Sequence, residues 1–311
     1  MIPPVLPHRP IEGISAVLLP FHANGHPNYE EFLRHLERTV QAGLTPAVNM
    51  DTGYVNLLSK AQRRQILDLT ARFLSGRPFI AGAYIEGEDG ETFSLYTEEM
   101  DAILERGGTP ILFQSSALVA LSESQVLALH EKLAKRFPKW LIFELGSQFA
   151  PFGKIYPLEL LSELMQIPSI LGLKHSSLSR QQEWKRLELR NQLRPEFKIY
   201  TGNDLAIDMV IYGSDYLLGL STFAPDYFAL RDRYWEIGDA RFYELNDILQ
   251  FLGQFAFRPP VPAYKHSAAQ FLQLRGWLTS AEPPPNSPRR PESDRETLQV
   301  ILEKLAEFSP H

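Results

Sequence analysis

The chain has 311 residues, of which 44% are hydrophobic and 22% charged. This composition is typical of a globular protein and excludes a collagen-like or largely disordered chain. A net charge of −6 argues against a broad basic surface for nucleic acid or anionic lipid. The absence of cysteine excludes disulfides, cysteine-ligated metal centres and thiol catalysis.

The N-terminal segment 1–7 has no basic stretch followed by an apolar one, so we do not expect it to be a signal peptide. No apolar run approaches the roughly 18 residues that a membrane-spanning helix needs. We therefore expect a cytoplasmic protein with no membrane partner.

Short apolar runs alternate with longer amphipathic stretches between residues 13 and 237. The runs are almost continuously apolar, which is typical of parallel strands covered by helices. We predict eight strands, at residues 13–19, 45–50, 78–83, 109–114, 140–145, 169–174, 196–201 and 215–220.

The segments between these strands predict helices. In segment 29–42 the apolar residues recur on one helical face. Three S-x-x-Q pairs with the spacing of a capping box fall at predicted helix starts: Ser59 with Gln62, Ser122 with Gln125, and Ser179 with Gln182.

Eight strand–helix units predict an α/β fold of the (β/α)8 TIM-barrel type. A doubly wound open sheet is the alternative, but no G-x-G-x-x-G motif follows the first strand. We assign residues 1–237 to the barrel and residues 238–311 to a C-terminal helical extension. Its helices are predicted at 239–256, 263–276 and 293–308, and a proline-rich linker lies at 283–291.

In such a barrel the residues at the carboxyl ends of the strands face the active site. Lys174 is the unusual residue there, because it ends an apolar run. Burial lowers the pKa of a lysine, and the neutral amine can form a Schiff base with a carbonyl. The alternative is a structural lysine that reaches solvent or pairs with a carboxylate such as Asp51 or Glu144.

Several segments between residues 12 and 277 match, in order and spacing, the motifs of one family. Gly172-Leu173-Lys174-His175-Ser176-Ser177 is similar to its G-I-K-E-A-S, and Met50-Asp51-Thr52-Gly53-Tyr54 lies where G-T-T-G-E is usual. Gly202-Asn203-Asp204 is similar to G-D-D. The chain thus resembles the dihydrodipicolinate synthase / N-acetylneuraminate lyase family of class I aldolases.

This resemblance implies that Lys174 forms the Schiff base and that no metal or organic cofactor is needed. It also implies that Thr52 and the backbone near Gly53 hold the carboxylate of a 2-oxo acid. Phe143, Gln148 and Leu218 are the other expected substrate contacts.

The chain departs from the family at positions that normally carry proton transfer or bind substrate. Phe143 replaces the tyrosine that relays protons, and Asp51 replaces the first threonine of G-T-T-G-E. Ala117 and Leu118 align with the paired tyrosines of the synthase, and Gln148 aligns with its substrate-binding arginine. These changes argue against a true dihydrodipicolinate synthase.

A replacement relay needs a titratable group within hydrogen-bond reach of the reacting atoms. Asp51 is the first candidate, although it could instead hold a lysine as a charged pair. Tyr84, where the family has a glycine, is the second. Because side chains alternate along a strand, His175 should point outward if Lys174 points inward, and Glu144 should point outward if Phe143 occupies the inward tyrosine position.

A metal site is a weaker hypothesis. Oxygen and nitrogen ligands could come from Asp51, Glu144, His175 and Asp204, but no local pair such as H-x-x-x-H supports them. We interpret Tyr264-Lys265-His266 as a solvated helix start beyond the barrel.

The sequence therefore favours a Schiff-base aldolase or lyase that acts on a 2-oxo acid, such as pyruvate or a sugar-derived keto acid. Two alternatives remain: an inert relative that binds a keto acid or sugar acid, and a metal-dependent barrel lyase. The resemblance also implies a homodimer or homotetramer.

Overall fold

The eight apolar runs form parallel strands that close into a barrel in chain order, with the first strand paired to the second and the eighth. The structure is a computed structural model that describes residues 2–308. The prediction of a (β/α)8 barrel is confirmed. Its strands are β1 (Gly13–Ala16), β2 (Thr45–Val48), β3 (Ile80–Ala83), β4 (Thr109–Leu112), β5 (Trp140–Leu145), β6 (Ile170–Ser176), β7 (Lys198–Thr201) and β8 (Asp215–Leu218).

Four of the eight strands, β1, β2, β4 and β8, end earlier than the apolar runs predict. The run 13–19 is paired as strand only to Ala16, although residues 17–19 remain buried. Buried loop residues at the mouth of the barrel have the same apolar character as strand residues, so composition alone cannot mark the boundary.

Helices alternate with the strands and cover the outside of the barrel. After β7 the chain makes the 3-10 turn Ile207–Tyr212 instead of an α-helix. The helices are α1 (Tyr29–Gln41), α2 (Lys60–Leu74), α3 (Thr92–Leu104), α4 (Ser116–Val119), α5 (Glu123–Ala134), α6 (Leu158–Met165), α7 (Arg180–Leu193), α8 (Pro225–Ile237), α9 (Arg241–Ala256), α10 (Tyr264–Leu274) and α11 (Asp294–Ala306).

Two of the three predicted capping boxes are confirmed. The side chains of Ser59 and Ser122 each accept a hydrogen bond from the backbone N–H of the glutamine three residues later, and the backbone N–H of each serine donates to the side chain of that glutamine. Ser179 caps α7 in one direction only, through the N–H of Gln182.

Alternate strand residues separate into two apolar layers. Ile14, Ala47, Ile111, Leu141 and Leu217 belong to the layer that fills the barrel. Their strand neighbours pack against the helices in a second, larger layer. This alternation decides which polar residue of each strand reaches the inside.

The C-terminal segment returns to the barrel and covers part of its mouth. The connection between α9 and α10 is held by Arg290, which donates to the carbonyls of Ala256 (2.9 Å), Pro259 (3.1 Å) and Pro260 (3.2 Å). The N–H of Arg290 donates to His266 Nδ1 at 2.7 Å. The proline-rich segment 283–291 thus fixes the position at which α10 begins.

Within residues 2–308, no helix is long and apolar enough to cross a membrane.

A buried ionic cluster on the outer face of β5 and β6 holds the loop that follows β5. Glu144 Oε1 contacts His175 Nδ1 at 2.5 Å, and the Glu144 carboxylate also accepts hydrogen bonds from Arg186 of α7. The same carboxylate accepts the N–H of Tyr156 at 2.7 Å, and Arg186 donates to the Tyr156 carbonyl at 2.8 Å. Glu144 and His175 therefore point outward, as strand alternation predicts, and anchor the end of this loop.

We expect Arg186→Met to reduce the free energy of unfolding by about 3–5 kcal/mol, because it leaves the buried Glu144 without its guanidinium partner. Denaturant unfolding measures the change. As a control, Lys304→Met removes an exposed ion pair to Glu307 and should change stability by less than about 1 kcal/mol. An Arg186→Met protein as stable as this control would contradict the prediction.

Candidate active site

A cavity of about 320 Å³ opens at the carboxyl ends of the strands. Its walls come from residues at or just beyond the carboxyl ends of the seven strands β2 to β8, and from the segment that joins α9 to α10. Lys174, Asp51, Thr52, Tyr84, Phe143 and Gln148 all line it. The structure thus brings together six of the eight residues that the sequence predicts for the site.

Lys174 lies on the inner face of β6 and is 9% exposed. Its Nζ lies 4.2 Å from the centre of the Phe143 ring, and no carboxylate within residues 2–308 is close enough to form an ion pair with it. Gly202 leaves room for this side chain, since a Cβ there would lie 2.9 Å from Lys174 Cε. Burial lowers the pKa of Lys174 to about 8, although Asp204 and Asp51 act in the opposite direction.

Asp51 is paired, but not with Lys174. Its Oδ1 accepts a hydrogen bond from Lys265 Nζ at 3.0 Å, and its Oδ2 accepts one from the Tyr264 hydroxyl at 2.9 Å. Burial raises the pKa of Asp51, but the charge of Lys265 and the two hydrogen bonds outweigh it, so the net pKa lies below the usual range. The alternative in which Asp51 or Glu144 neutralises Lys174 is therefore wrong: Asp51 pairs with Lys265, and Glu144 with Arg186 and His175.

Tyr264 links Asp51 to Thr52. Its hydroxyl lies 2.9 Å from Thr52 Oγ1 as well as 2.9 Å from Asp51 Oδ2. Since the single phenol proton is donated to Asp51, the Thr52 hydroxyl donates to Tyr264. Burial and the charge of Asp51 raise the pKa of Tyr264 well above the usual value, so the phenol stays protonated.

Two neighbours set the position of the Tyr264 ring. Phe257 stacks on it with ring centres 4.2 Å apart. Gly219 provides space at the other side, because a Cβ there would lie 3.0 Å from Thr52 Oγ1 and 3.1 Å from the tyrosine ring.

The interpretation of Tyr264-Lys265-His266 as a solvated helix start is wrong. These residues are 4%, 4% and 8% exposed, and the first two reach into the barrel mouth. The sequence placed them beyond the barrel because they follow it in the chain. The fold brings α10 back over β2, and no local pattern in the sequence marks that return.

Two predicted substrate contacts, Gly53 and Leu218, do not line the cavity. The N–H of Gly53 donates to the Met50 carbonyl at 3.0 Å within a 3-10 turn, so it is not available to a carboxylate. Leu218 belongs to the outer apolar layer, while Leu217 points inward. The alternation of side chains along β8 therefore excludes Leu218 from the site.

Tyr84 borders the cavity as predicted, but it has few polar contacts. Its ring packs edge-on against Phe113, with ring centres 5.7 Å apart. In the described part of the chain no hydrogen bond involves its hydroxyl. Burial and the nearby charge of Glu86 raise its pKa.

Asp204 is the second carboxylate of the site, and it is 8% exposed. Its Oδ1 accepts the N–H of Leu220 at 2.7 Å, and burial raises its pKa to about 7. The proposed metal ligands do not converge, because Glu144 and His175 lie on the outer face of the strands. Among residues 2–308, no group of three His, Asp or Glu side chains could hold a metal ion.

We expect Asp204→Asn to lower the pKa of Lys174 below about 8, since the charge of Asp204 favours the protonated amine. The rate at which an acylating reagent labels Lys174, followed by peptide mass spectrometry across pH, measures this pKa. Asp89→Asn, an exposed substitution, is the control and should leave the midpoint unchanged. A midpoint that stays or rises in Asp204→Asn would refute the assigned electrostatics.

The chain was compared with family models and with known proteins and structures. No family model matches the sequence. The chain is 27% identical over 220 residues to a 4-hydroxy-tetrahydrodipicolinate synthase from Kosmotoga olearia, a match that covers 68% of this chain and 70% of that protein.

Solved structures share the fold at lower identity. One is a prophage protein of the dihydrodipicolinic acid synthase family from E. coli K12 in complex with pyruvate, with a TM-score of 0.83 at 17% identity over 95% of this chain and 98% of the other. Another is the dihydrodipicolinate synthase from Thermotoga maritima, with a TM-score of 0.80 at 17% identity over 96% and 99% of the two chains. The chain is thus similar in sequence and fold to proteins of the dihydrodipicolinate synthase family, at low identity.

Proposed function

We propose that the protein is a class I aldolase or lyase that forms a Schiff base between Lys174 and a 2-oxo acid such as pyruvate. The observation that carries this proposal is the state of Lys174: it is buried in the cavity wall, has no carboxylate partner among residues 2–308, and has a pKa lowered to about 8. A larger fraction of such an amine is neutral near neutral pH than of a lysine in water, and the neutral amine can act as a nucleophile. The complex of the E. coli relative with pyruvate supports the choice of substrate.

The chemistry needs no group beyond the side chains of the cavity. Lys174 Nζ adds to the ketone carbon of the 2-oxo acid, and the carbonyl oxygen leaves as water after it gains two protons. The protonated imine then withdraws electrons from the adjacent carbon, so that a carbon–carbon bond to that carbon can form or break. Hydrolysis of the imine returns the lysine and the ketone.

Tyr264 is the proposed proton carrier of this reaction. Asp51, the first candidate from the sequence, has a lowered pKa and two fixed hydrogen-bond donors, so it remains an ionised acceptor. The Tyr264 hydroxyl joins that acceptor to the Thr52 hydroxyl and lines the same cavity as Lys174. A phenol in this position can accept a proton from the substrate as it passes its own proton to the ionised Asp51, and the reverse transfer returns that proton to the substrate.

Thr52 lines the cavity and remains the proposed ligand of the 2-oxo-acid carboxylate. Its hydroxyl donates to Tyr264 in the structure, so it must turn from Tyr264 to the carboxylate when substrate binds. The homodimer or homotetramer stays an expectation from the family resemblance.

An inert relative that only binds a keto acid is the second candidate, and the loss of the relay tyrosine at Phe143 favours it. Such a protein has no requirement for an unpaired, buried lysine. Covalent trapping separates the two candidates.

Incubation with pyruvate and borohydride should give a reduced adduct on Lys174, detected by mass spectrometry of the peptides. The trapping rate should rise as pH increases through about 8, because the neutral amine attacks the ketone. Lys174→Ala should form no adduct, while Lys139→Ala, at an exposed position, should behave like the native protein. Failure to trap pyruvate or any of a panel of 2-oxo acids would overturn the aldolase proposal.

Comparison of the two cavity tyrosines tests the proton carrier. We expect Tyr264→Phe to lower kcat by about 10²-fold or more with a small change in KM, since general acid–base groups contribute about 10²–10⁴-fold. Tyr84→Phe should change kcat by less than about threefold, a loss far below the range for a group that transfers protons. Steady-state kinetics with pyruvate and an aldehyde measures both. A larger loss in Tyr84→Phe would assign the relay to Tyr84 instead.

A further inference from the structure

We infer that the second substrate, the aldehyde to which the 2-oxo acid is joined or from which it is cleaved, is uncharged and apolar. An aromatic aldehyde is the class that fits best. This inference rests on the proposed Schiff-base function. It is carried by the walls of the cavity away from Lys174, which are apolar on several sides and carry no second cation among the described lining residues.

The apolar wall is built from four separate parts of the chain. Tyr84 and Phe113 contribute edge-packed rings from β3 and β4, and Leu145 ends β5. The loop after β5 and the connection before α10 complete the wall with Phe149, Phe152, Phe257 and Val261. Flat aromatic and aliphatic surfaces of this kind favour a ring through apolar burial and edge-to-face contacts.

The loop that carries two of these phenylalanines is held where it leaves β5, by the Gly146 N–H, which donates to the Ser176 carbonyl at 2.9 Å. Beyond the phenylalanines, the side chain of Gln114, which follows β4, donates to the Lys154 carbonyl at 2.7 Å and accepts the Lys154 N–H at 3.0 Å. The ionic cluster of Glu144 and Arg186 binds Tyr156, two residues later. The apolar wall is therefore present before substrate binds, and Gln114 is largely committed to the loop.

The charges of the cavity disfavour an anionic acceptor. Lys174 is the cation among its described lining residues, and its positive charge is lost when the imine becomes the enamine that attacks the aldehyde. Lys265 lies behind Asp51 and neutralises it, while Asp204, whose pKa burial raises to about 7, is partly ionised near neutral pH. A carboxylate or phosphate on the acceptor would lose water without gaining a partner, which costs several kcal/mol for a buried ion.

A polyhydroxylated acceptor also fits poorly. Each hydroxyl that leaves water needs a hydrogen-bond partner. The apolar wall offers mainly phenylalanine, leucine and valine side chains, and among the described lining residues the uncommitted amides are those of Asn56 and Gln148. The volume of about 320 Å³ lies at the small end of ligand cavities, which suits a 2-oxo acid joined to one ring.

The balanced reaction in the direction of synthesis consumes pyruvate and an aldehyde. The methyl group of the pyruvate imine on Lys174 loses a proton to give the enamine. The terminal carbon of the enamine then forms a bond to the aldehyde carbon, and the aldehyde oxygen takes up a proton to become a hydroxyl. Water then hydrolyses the imine and releases a 4-hydroxy-2-oxo acid. The water molecule consumed in this step balances the one released when the imine formed. Cleavage runs through the same steps in reverse.

A matched set of aldehydes tests the inference. With pyruvate and the full chain, we expect kcat/KM for benzaldehyde to exceed that for 4-carboxybenzaldehyde and for glyceraldehyde by at least about tenfold, as judged by product formation in mass spectrometry. A tenfold ratio corresponds to about 1.4 kcal/mol of transition-state binding. The first two aldehydes share one ring and differ in charge, so their ratio reports the electrostatics of the wall.

Phe149→Arg should reverse the preference between benzaldehyde and 4-carboxybenzaldehyde, because it places a cation in the apolar wall. Phe251→Arg makes the same change at a position on α9 that is 52% exposed, and it should leave the ratio unchanged. Borohydride trapping of pyruvate on Lys174 is measured in parallel.

An adduct on Lys174 together with equal or better use of the charged or hydroxylated aldehyde would overturn the apolar subsite and leave the Schiff-base function intact. Turnover of none of the aldehydes despite the adduct would overturn it as well. The absence of any adduct would overturn the proposed function, and this inference with it.

Discussion

The ion pair between Asp51 and Lys265 is the interaction on which the arrangement of the cavity depends. It joins the 3-10 turn after β2 to the first turn of α10, and Lys265 is 6% exposed in its side chain. Because Lys265 and Tyr264 occupy both carboxylate oxygens of Asp51, that carboxylate does not clamp Lys174. A direct pair between Asp51 and Lys174 would favour the protonated amine and raise its pKa. The helix beyond the barrel thus decides the chemical state of a lysine on β6.

The inner faces of β5 and β6 line the cavity, and their outer faces hold the loop that follows β5. Phe143 and Lys174 point inward, where the phenylalanine ring lies 4.2 Å from the amine. Their neighbours Glu144 and His175 point outward and pair with each other at 2.5 Å. Because the outer pair also binds Arg186 and the backbone of Tyr156, it fixes the loop that covers the inner pair. A change on the helix-facing side can therefore move a wall of the cavity.

The loss of the relay tyrosine at Phe143 does not leave the cavity without a phenol. The Tyr264 hydroxyl enters from α10, and its ring is held between Phe257 and the space at Gly219. Phe143 then belongs to the apolar side of the cavity, beside Phe113 at 4.9 Å between ring centres. A hydroxyl on α10 instead of β5 is thus consistent with both proposals. Tyr264 supplies the proton carrier, and Phe143 can contact an apolar acceptor.

The sequence by itself determined the barrel, since eight apolar runs separated by amphipathic segments have few other ways to bury their surfaces. It also placed Glu144 and His175 on the opposite strand face from Phe143 and Lys174, because strand alternation has a period of two, while the inward position of Lys174 came from the family resemblance. The same rule separates Leu217 from Leu218, but it can be applied only once the phase of β8 is known, so Leu218 was misplaced. Only the tertiary structure decided that Lys265 neutralises Asp51 and that Tyr264 reaches Thr52. Those contacts join residues more than 200 positions apart, and their geometry depends on where Arg290 and the proline-rich segment fix α10.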